Sequence, residues 1–243
     1  MRFPIICFDD FYKDPDRVRE WALSLQYGKH TDGIYPGIRT QCLSTVDEQF
    51  HEICCRKFLS MFDDFDKPLD QVDYKIKSYF QKIWRFSSDQ NSNRNRGWIH
   101  ADTNVIVAGL VYLNPNSNPN AGTSVYTKKK DAIIPEWMIK EYEGAPNKTP
   151  FVNDVLQSGF SCLIDSIEGY DKVLKENNDM YELTLEIKNK YNRFIAYDGD
   201  QFHGQSTCWM DSEDCRLTQV FFVEQLNCSS QKLPNVRCER YGI

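Results

Sequence analysis

His100 and Asp102 stand two residues apart in the stretch Trp98-Ile99-His100-Ala101-Asp102-Thr103-Asn104, directly ahead of the apolar run Val105-Ile106-Val107-Ala108-Gly109-Leu110-Val111-Tyr112-Leu113. In an extended chain residues i and i+2 project to one face, so an imidazole nitrogen and a carboxylate oxygen can meet one metal ion there. The spacing alone is a weak signal, because it recurs at His30-Thr31-Asp32. That second triplet sits in a polar, Gly-containing loop with no apolar strand behind it to hold it rigid, and it reads as a solvated pair. His51-Glu52-Ile53-Cys54-Cys55 begins like the helix of a zinc protease but carries Cys55 where the second histidine should stand. A metalloprotease is therefore excluded.

The elements that must carry these residues follow from local patterns. Phe3-Pro4-Ile5-Ile6-Cys7-Phe8 reads as a strand. A helix follows, with Asp14 as N-cap, Pro15 at its first position, and Val18, Trp21, Ala22 and Leu25 on one face. After a loop from Gly28 to Thr40, a second amphipathic helix shows Phe50, Ile53, Cys54, Phe58 and Met61 at helical spacing. From Val72 onward the signals are strands, at 72–86, 97–101, 104–113, 122–127, 180–188, 191–197, 201–208 and 215–226, rich in Tyr, Phe, Ile, Val and Thr. Turn-forming loops at 91–97 and 114–122 lie between them. Many short strands joined by turns imply a sandwich or barrel. Residues 128–170 interrupt the series with lysines and prolines and read as an insertion, a candidate lid.

A chain of 243 residues buries a substantial core and is expected to form one domain, with 1–71 as its N-terminal support, 72–226 as the β core and 227–243 as a tail. Its net charge of -6 and pI near 5.3 argue against a protein held to phosphate backbones or anionic membranes. Lys128-Lys129-Lys130 reads as a solvated face. There is neither a spanning apolar run nor a signal-peptide pattern at the start, so a soluble, cytoplasmic protein is expected. Nine cysteines without a Cys-x-x-Cys spacing suggest reduced thiols, not a disulfide framework or a structural zinc site.

The order downstream of His100 is Val111-Tyr112-Leu113-Asn114, then Gly122-Thr123-Ser124-Val125-Tyr126, then Tyr197-Asp198-Gly199-Asp200-Gln201-Phe202-His203, then Arg216-Leu217-Thr218. Across roughly 97–226 this resembles the Fe(II)/2-oxoglutarate-dependent dioxygenases, in particular their prolyl-4-hydroxylase-like branch. Phe11-x-x-Asp14-Pro15-x-x-Val18-Arg19 and Tyr35-Pro36-Gly37-Ile38-Arg39 are similar to a little-characterised bacterial and phage group of these oxygenases. The resemblance implies a mainly β fold with flanking α-helices: a double-stranded β-helix, the cupin-like jelly roll, with the two N-terminal helices on its outer sheet.

By the same resemblance His100, Asp102 and His203 are the iron ligands, with only His30 and His51 as rivals for the distal position. Two neutral imidazoles and one carboxylate leave three adjacent octahedral positions open, as a bidentate oxo-acid and O2 require, whereas a structural zinc site closes its shell. Arg216 would grip the distal carboxylate of 2-oxoglutarate, with Thr218 and Tyr112 completing its hydrogen bonds. Arg39 and Trp98 are candidates for the substrate side. The bland alternatives are hydrogen-bonded histidines, an Arg216 ion pair with a core carboxylate, packing roles for Tyr112, Thr218 and Trp98, and a solvated Arg39.

The implied reaction is hydroxylation of an unactivated C–H bond with release of succinate and CO2, using Fe(II), 2-oxoglutarate and O2, with ascorbate as a supporting reductant. Asp102 favours hydroxylation over halogenation, and Phe222 stands where related nucleic-acid demethylases carry a second arginine. The substrate is then a prolyl residue in a peptide or protein, an amino acid or another small metabolite. The rivals are a non-catalytic jelly roll that binds a metal or ligand and a cupin-like enzyme without 2-oxoglutarate; the latter would not require Arg216. Oligomeric state is left open.

Overall fold

The computed structural model describes residues 5–28, 35–61, 72–102, 104–134, 167–211 and 215–227. The chain begins with β1 (Ile6–Phe8), α1 (Pro15–Ser24), β2 (Ile38–Arg39), α2 (Leu43–Val46) and α3 (Glu48–Leu59). It continues with β3 (Asp73–Ile83), a 3-10 turn at Asn93–Asn95, β4 (Val107–Tyr112), β5 (Thr123–Lys128) and α4 (Ile167–Asp179). The last strands are β6 (Tyr181–Ile187), β7 (Phe194–Asp198), β8 (His203–Gln205) and β9 (Arg216–Asn227). Helix starts follow capping chemistry: the Asp14 carboxylate accepts from the Arg17 amide at 3.1 Å, and Asp47 accepts from the Phe50 amide at 2.8 Å.

The strands form two antiparallel sheets, one of six in the order β1-β7-β4-β9-β3-β2 and one of three in the order β6-β5-β8. With helices flanking the larger sheet, this is the expected mainly β, jelly-roll fold. Strand β4 is buried at every residue, because the larger sheet is covered on both faces. Its outer side joins Phe11, Phe58, Phe80, Phe194 and Phe221 in a core closed by α1 and α3. Gly109 makes that approach possible, since a Cβ there would lie 2.6 Å from the Phe58 ring. Its inner side carries Ala108, Leu110 and Tyr112, packed with Tyr79, Ile195, Tyr197, Val220 and Ile187 of the smaller sheet.

Several local expectations are corrected. Ile53 is 59% exposed, and α3 instead buries His51, Cys54, Cys55, Phe58 and Leu59. Residues 97–101 are no strand: their ladder is a single bridge, His100 to His203. The expected strand 201–208 shortens to His203–Gln205, the three residues that pair with β5. Asn104 at φ 63° and Asn192 at φ 62° turn the chain before β4 and β7, which delays both strands. Helix α4 was not anticipated, and residues 135–166 of the expected insertion lie outside the described residues, as do 228–243. Cys7, Cys42, Cys54, Cys55, Cys208 and Cys215 are free thiols. No helix among the described residues is long and apolar enough to cross a membrane.

Candidate functional site

The single bridge brings the two halves of the candidate site together. The His100 amide donates to the His203 carbonyl at 3.0 Å, and the His203 amide returns the bond to the His100 carbonyl at 2.8 Å. The Asp102 amide donates to the Gly199 carbonyl at 2.8 Å, fixing the third residue. The His100 and His203 ring centroids are 4.5 Å apart. His100 Nε2 lies 3.7 Å from Asp102 Oδ1, and His203 Nε2 lies 3.5 Å from Asp102 Oδ2. One ligand atom from each residue falls within 4.8 Å of the others, close enough for one ion to be shared.

The ring nitrogens have assigned tasks. His100 Nδ1 lies 2.8 Å from the Trp98 carbonyl, and His203 Nδ1 lies 2.8 Å from the Gln201 carbonyl. A carbonyl can only accept, so each Nδ1 carries the proton and each Nε2 presents its lone pair to the centre. Burial, reinforced by the neighbouring His100, pushes the His203 pKa down to about 4, against the opposing pull of Asp102. His203 is then neutral at pH 7, as a metal ligand must be. Asp102 Oδ2 is buried without a hydrogen-bond partner among the described residues, which is the condition of a carboxylate oxygen suited to a cation.

A second group of side chains is suited to an anion. Arg216 is only 2% exposed, and its Nε donates to the Ala121 carbonyl at 3.1 Å. Its guanidinium carbon sits 5.2 Å from the centroid of the Tyr112 ring, while the Tyr112 phenol bonds Thr123 Oγ1 at 2.8 Å. Arg216 Nη2 and Thr218 Oγ1 are buried with no partner among the described residues. Among the described residues no carboxylate pairs with Arg216, so the expected alternative of a core ion pair finds no support there. A buried guanidinium without a counter-anion costs several kcal/mol, and its fork of donors matches a carboxylate. The donor set thus fits both a divalent metal and an oxo-acid.

The other candidates divide. Thr218 and Tyr112 face each other across β9 and β4, and the same cross-strand row continues through Gln81 to Arg39. Arg39 is half-buried, 3.9 Å over the Tyr35 ring, with Nε donating to Gln81 Oε1 at 3.2 Å. It is not the solvated side chain of the bland reading. Trp98 is buried and meets the site through its carbonyl. His51 hydrogen-bonds Ser78 at 2.8 Å on the outer side of the larger sheet, away from Arg216, and is a core histidine. His30 and Asp32 lie outside the described residues.

Tyr197, to which sequence reasoning gave no role, has its ring centroid 4.4 Å from that of His203. Burial, then the nearby Asp102 and Tyr112, holds its phenol well above the ordinary range, while Arg216 pulls the other way. Its ring thus packs on the triad, while its phenol responds to the charges of both Asp102 and Arg216. Alternation along Phe194-Ile195-Ala196-Tyr197 could have placed it inside, because Ile195 shares that face.

No curated protein matches the chain. Among solved structures it is similar to HygX from Streptomyces hygroscopicus with nickel, 2-oxoglutarate and hygromycin B bound, at 11% identity and TM-score 0.49 over 90% of this chain and 82% of that one. It is also similar to an oxidoreductase of the 2OG-Fe(II) oxygenase family from Burkholderia pseudomallei, at 9% identity and TM-score 0.43 over 90% and 83%. A third is AviO1 from Streptomyces viridochromogenes Tue57, at 10% identity and TM-score 0.46 over 96% and 94%. Residues 1–223 match the profile of DUF6445, and the chain belongs to that family of unknown function.

Proposed function

We propose that this protein is an Fe(II)/2-oxoglutarate-dependent oxygenase that hydroxylates an unactivated C–H bond of a prolyl residue, an amino acid or another small metabolite. One observation carries the reading. Two histidines with Nδ1 tied to carbonyls and a carboxylate with an unpartnered oxygen lie together, near a buried arginine and threonine with unpartnered donors. His100, Asp102 and His203 would hold the metal, and Arg216 with Thr218 would take the distal carboxylate of the oxo-acid. Bound Fe(II), 2-oxoglutarate and O2 would supply the oxidising power, with succinate and CO2 as products and ascorbate keeping iron reduced. Leu110, Ile195 and Val220, all buried on the inner face, exclude water from the space between the sheets. Tyr112, its phenol pushed up by burial, stays protonated and available as a donor.

The test is an anaerobic titration of the metal-free protein with Fe(II) and then 2-oxoglutarate, following the visible charge-transfer band of a chelated oxo-acid. The parent should develop the band, and His203→Ala should abolish it. A folded, iron-loaded parent without the band would leave a non-catalytic jelly-roll binding protein as the better account.

A further inference from the structure

Among the described residues the segment carrying His100 is flanked by one strand, β8. Gly97 packs against Gln205 so closely that a Cβ would lie 2.4 Å from the Gln205 nitrogen. On the other side, where a second strand would stand, are the last residues of α4. Asn178 Oδ1 accepts from the Ile99 amide at 3.0 Å, and Asn178 Nδ2 donates to the Gly97 carbonyl at 3.1 Å. Asn177 Nδ2 donates to the Ile99 carbonyl at 3.0 Å and to Asn178 Oδ1 at 3.0 Å, so one amide orients the other. Asn177 is 2% exposed. Farther along the helix Asp171 takes Arg94 Nε at 2.8 Å and Arg94 Nη2 at 2.8 Å, and Leu174 is 1% exposed, so the helix itself is anchored.

We infer that Asn177 and Asn178 are positioning residues of the metal site: their side-chain amides replace a missing strand and lock the 97–99 backbone that orients His100. The connection to chemistry is short. The Trp98 carbonyl, inside the clamped segment, is the acceptor that holds the proton on His100 Nδ1 and frees Nε2. Releasing the clamp lets that peptide rotate, and the imidazole loses both its tautomer and its aim. Since α4 directly follows residues 135–166, the clamp also ties the conformation of the helix after that segment to a metal ligand. The role of His100 as ligand rests on the function proposed above; the clamp on its backbone does not.

The experiment uses the full chain with Co(II) as the only added ligand, read by its visible absorption. Alongside it, long-range proton–nitrogen NMR of the metal-free protein reports the His100 tautomer. Asn178→Ala should weaken Co(II) binding by about 10- to 100-fold, the usual effect of removing an outer partner of a metal-bound histidine, and should add a second His100 tautomer. Asn178→Ser, which keeps an acceptor, serves if the alanine variant does not fold. Leu174→Ala is the control: it opens a cavity on the same helix but removes none of the hydrogen bonds to 97–99, and should keep the parent affinity. Parent-like binding and a single tautomer in the Asn178 variants, or an equal loss in Leu174→Ala, would overturn the inference. If the parent itself fails to bind Co(II), the metal-site reading has failed instead, and the tautomer still decides whether the asparagines orient His100.

Discussion

Replacing Arg216 by methionine should separate what this residue does for the fold from what it does for a ligand. Its Nε donates to the Ala121 carbonyl, its guanidinium also engages the Tyr112 phenol, and Nη2 is buried with no partner among the described residues. Losing a bond from a charged donor costs about 1.5–3 kcal/mol, and removing the buried charge returns a desolvation penalty of several kcal/mol. The two terms nearly cancel, so the metal-free variant should unfold in urea within about 1 kcal/mol of the parent. With ligand the balance changes, because truncating one partner of a buried, hydrogen-bonded charge pair costs about 2–5 kcal/mol. A middle value of about 3 kcal/mol is about 150-fold in affinity for 2-oxoglutarate. At a concentration 100 times the parent Kd, 2-oxoglutarate should then stabilise the parent by about 2.7 kcal/mol and the variant by about 0.3 kcal/mol. 2-Oxopentanoate, which lacks the distal carboxylate, should bind parent and variant alike. A variant that loses about 3 kcal/mol or more without ligand yet still prefers 2-oxoglutarate to 2-oxopentanoate as strongly as the parent would refute the assignment.

Asp102→Ala should leave metal-free stability within about 1 kcal/mol, since Oδ2 has no partner to lose, while abolishing the Fe(II)–oxo-acid band; iron binding at parent affinity would contradict the ligand role. Burial holds the His51 pKa below its ordinary value, so the unfolded chain takes up that proton more readily than the folded one. Its contribution is therefore fully present above about pH 6.5 and is lost as pH falls toward the lowered folded value. The parent should lose more unfolding free energy between pH 7 and 5 than His51→Asn, and equal slopes would show that His51 does not contribute. Gly109→Ala drives a methyl into the Phe58 ring, itself stacked on Phe221 at 5.4 Å, and should cost about 1–3 kcal/mol, several degrees in Tm. Adding Phe58→Leu should recover part of that loss; a single variant as stable as the parent would mean that the ring moves freely.

Much of the architecture is written in local residue choice. Asp14 and Pro15 start α1 where capping chemistry puts them, and the Tyr- and Phe-rich runs become β3, β4, β7 and β9 within a few residues of their expected ends. The triplet at His100, the defect at Cys55 and the pairing of Arg216 with Thr218 on one face are likewise readable, because they depend only on spacing along a short stretch of chain. What spacing cannot express is who stands opposite. His203 meets His100 through one antiparallel bridge across about a hundred residues of chain, and Tyr197 comes to rest on His203 by the register of β7 with β4. The expected strand at 97–101 failed because on its side away from β8 it meets not a strand but two asparagine side chains that, read alone, signal only the end of a helix. A chain's own letters decide which dihedrals and faces each segment prefers; which distant groups share a face depends on the burial of apolar surface contributed by every element at once, and that sum exists only in the folded protein.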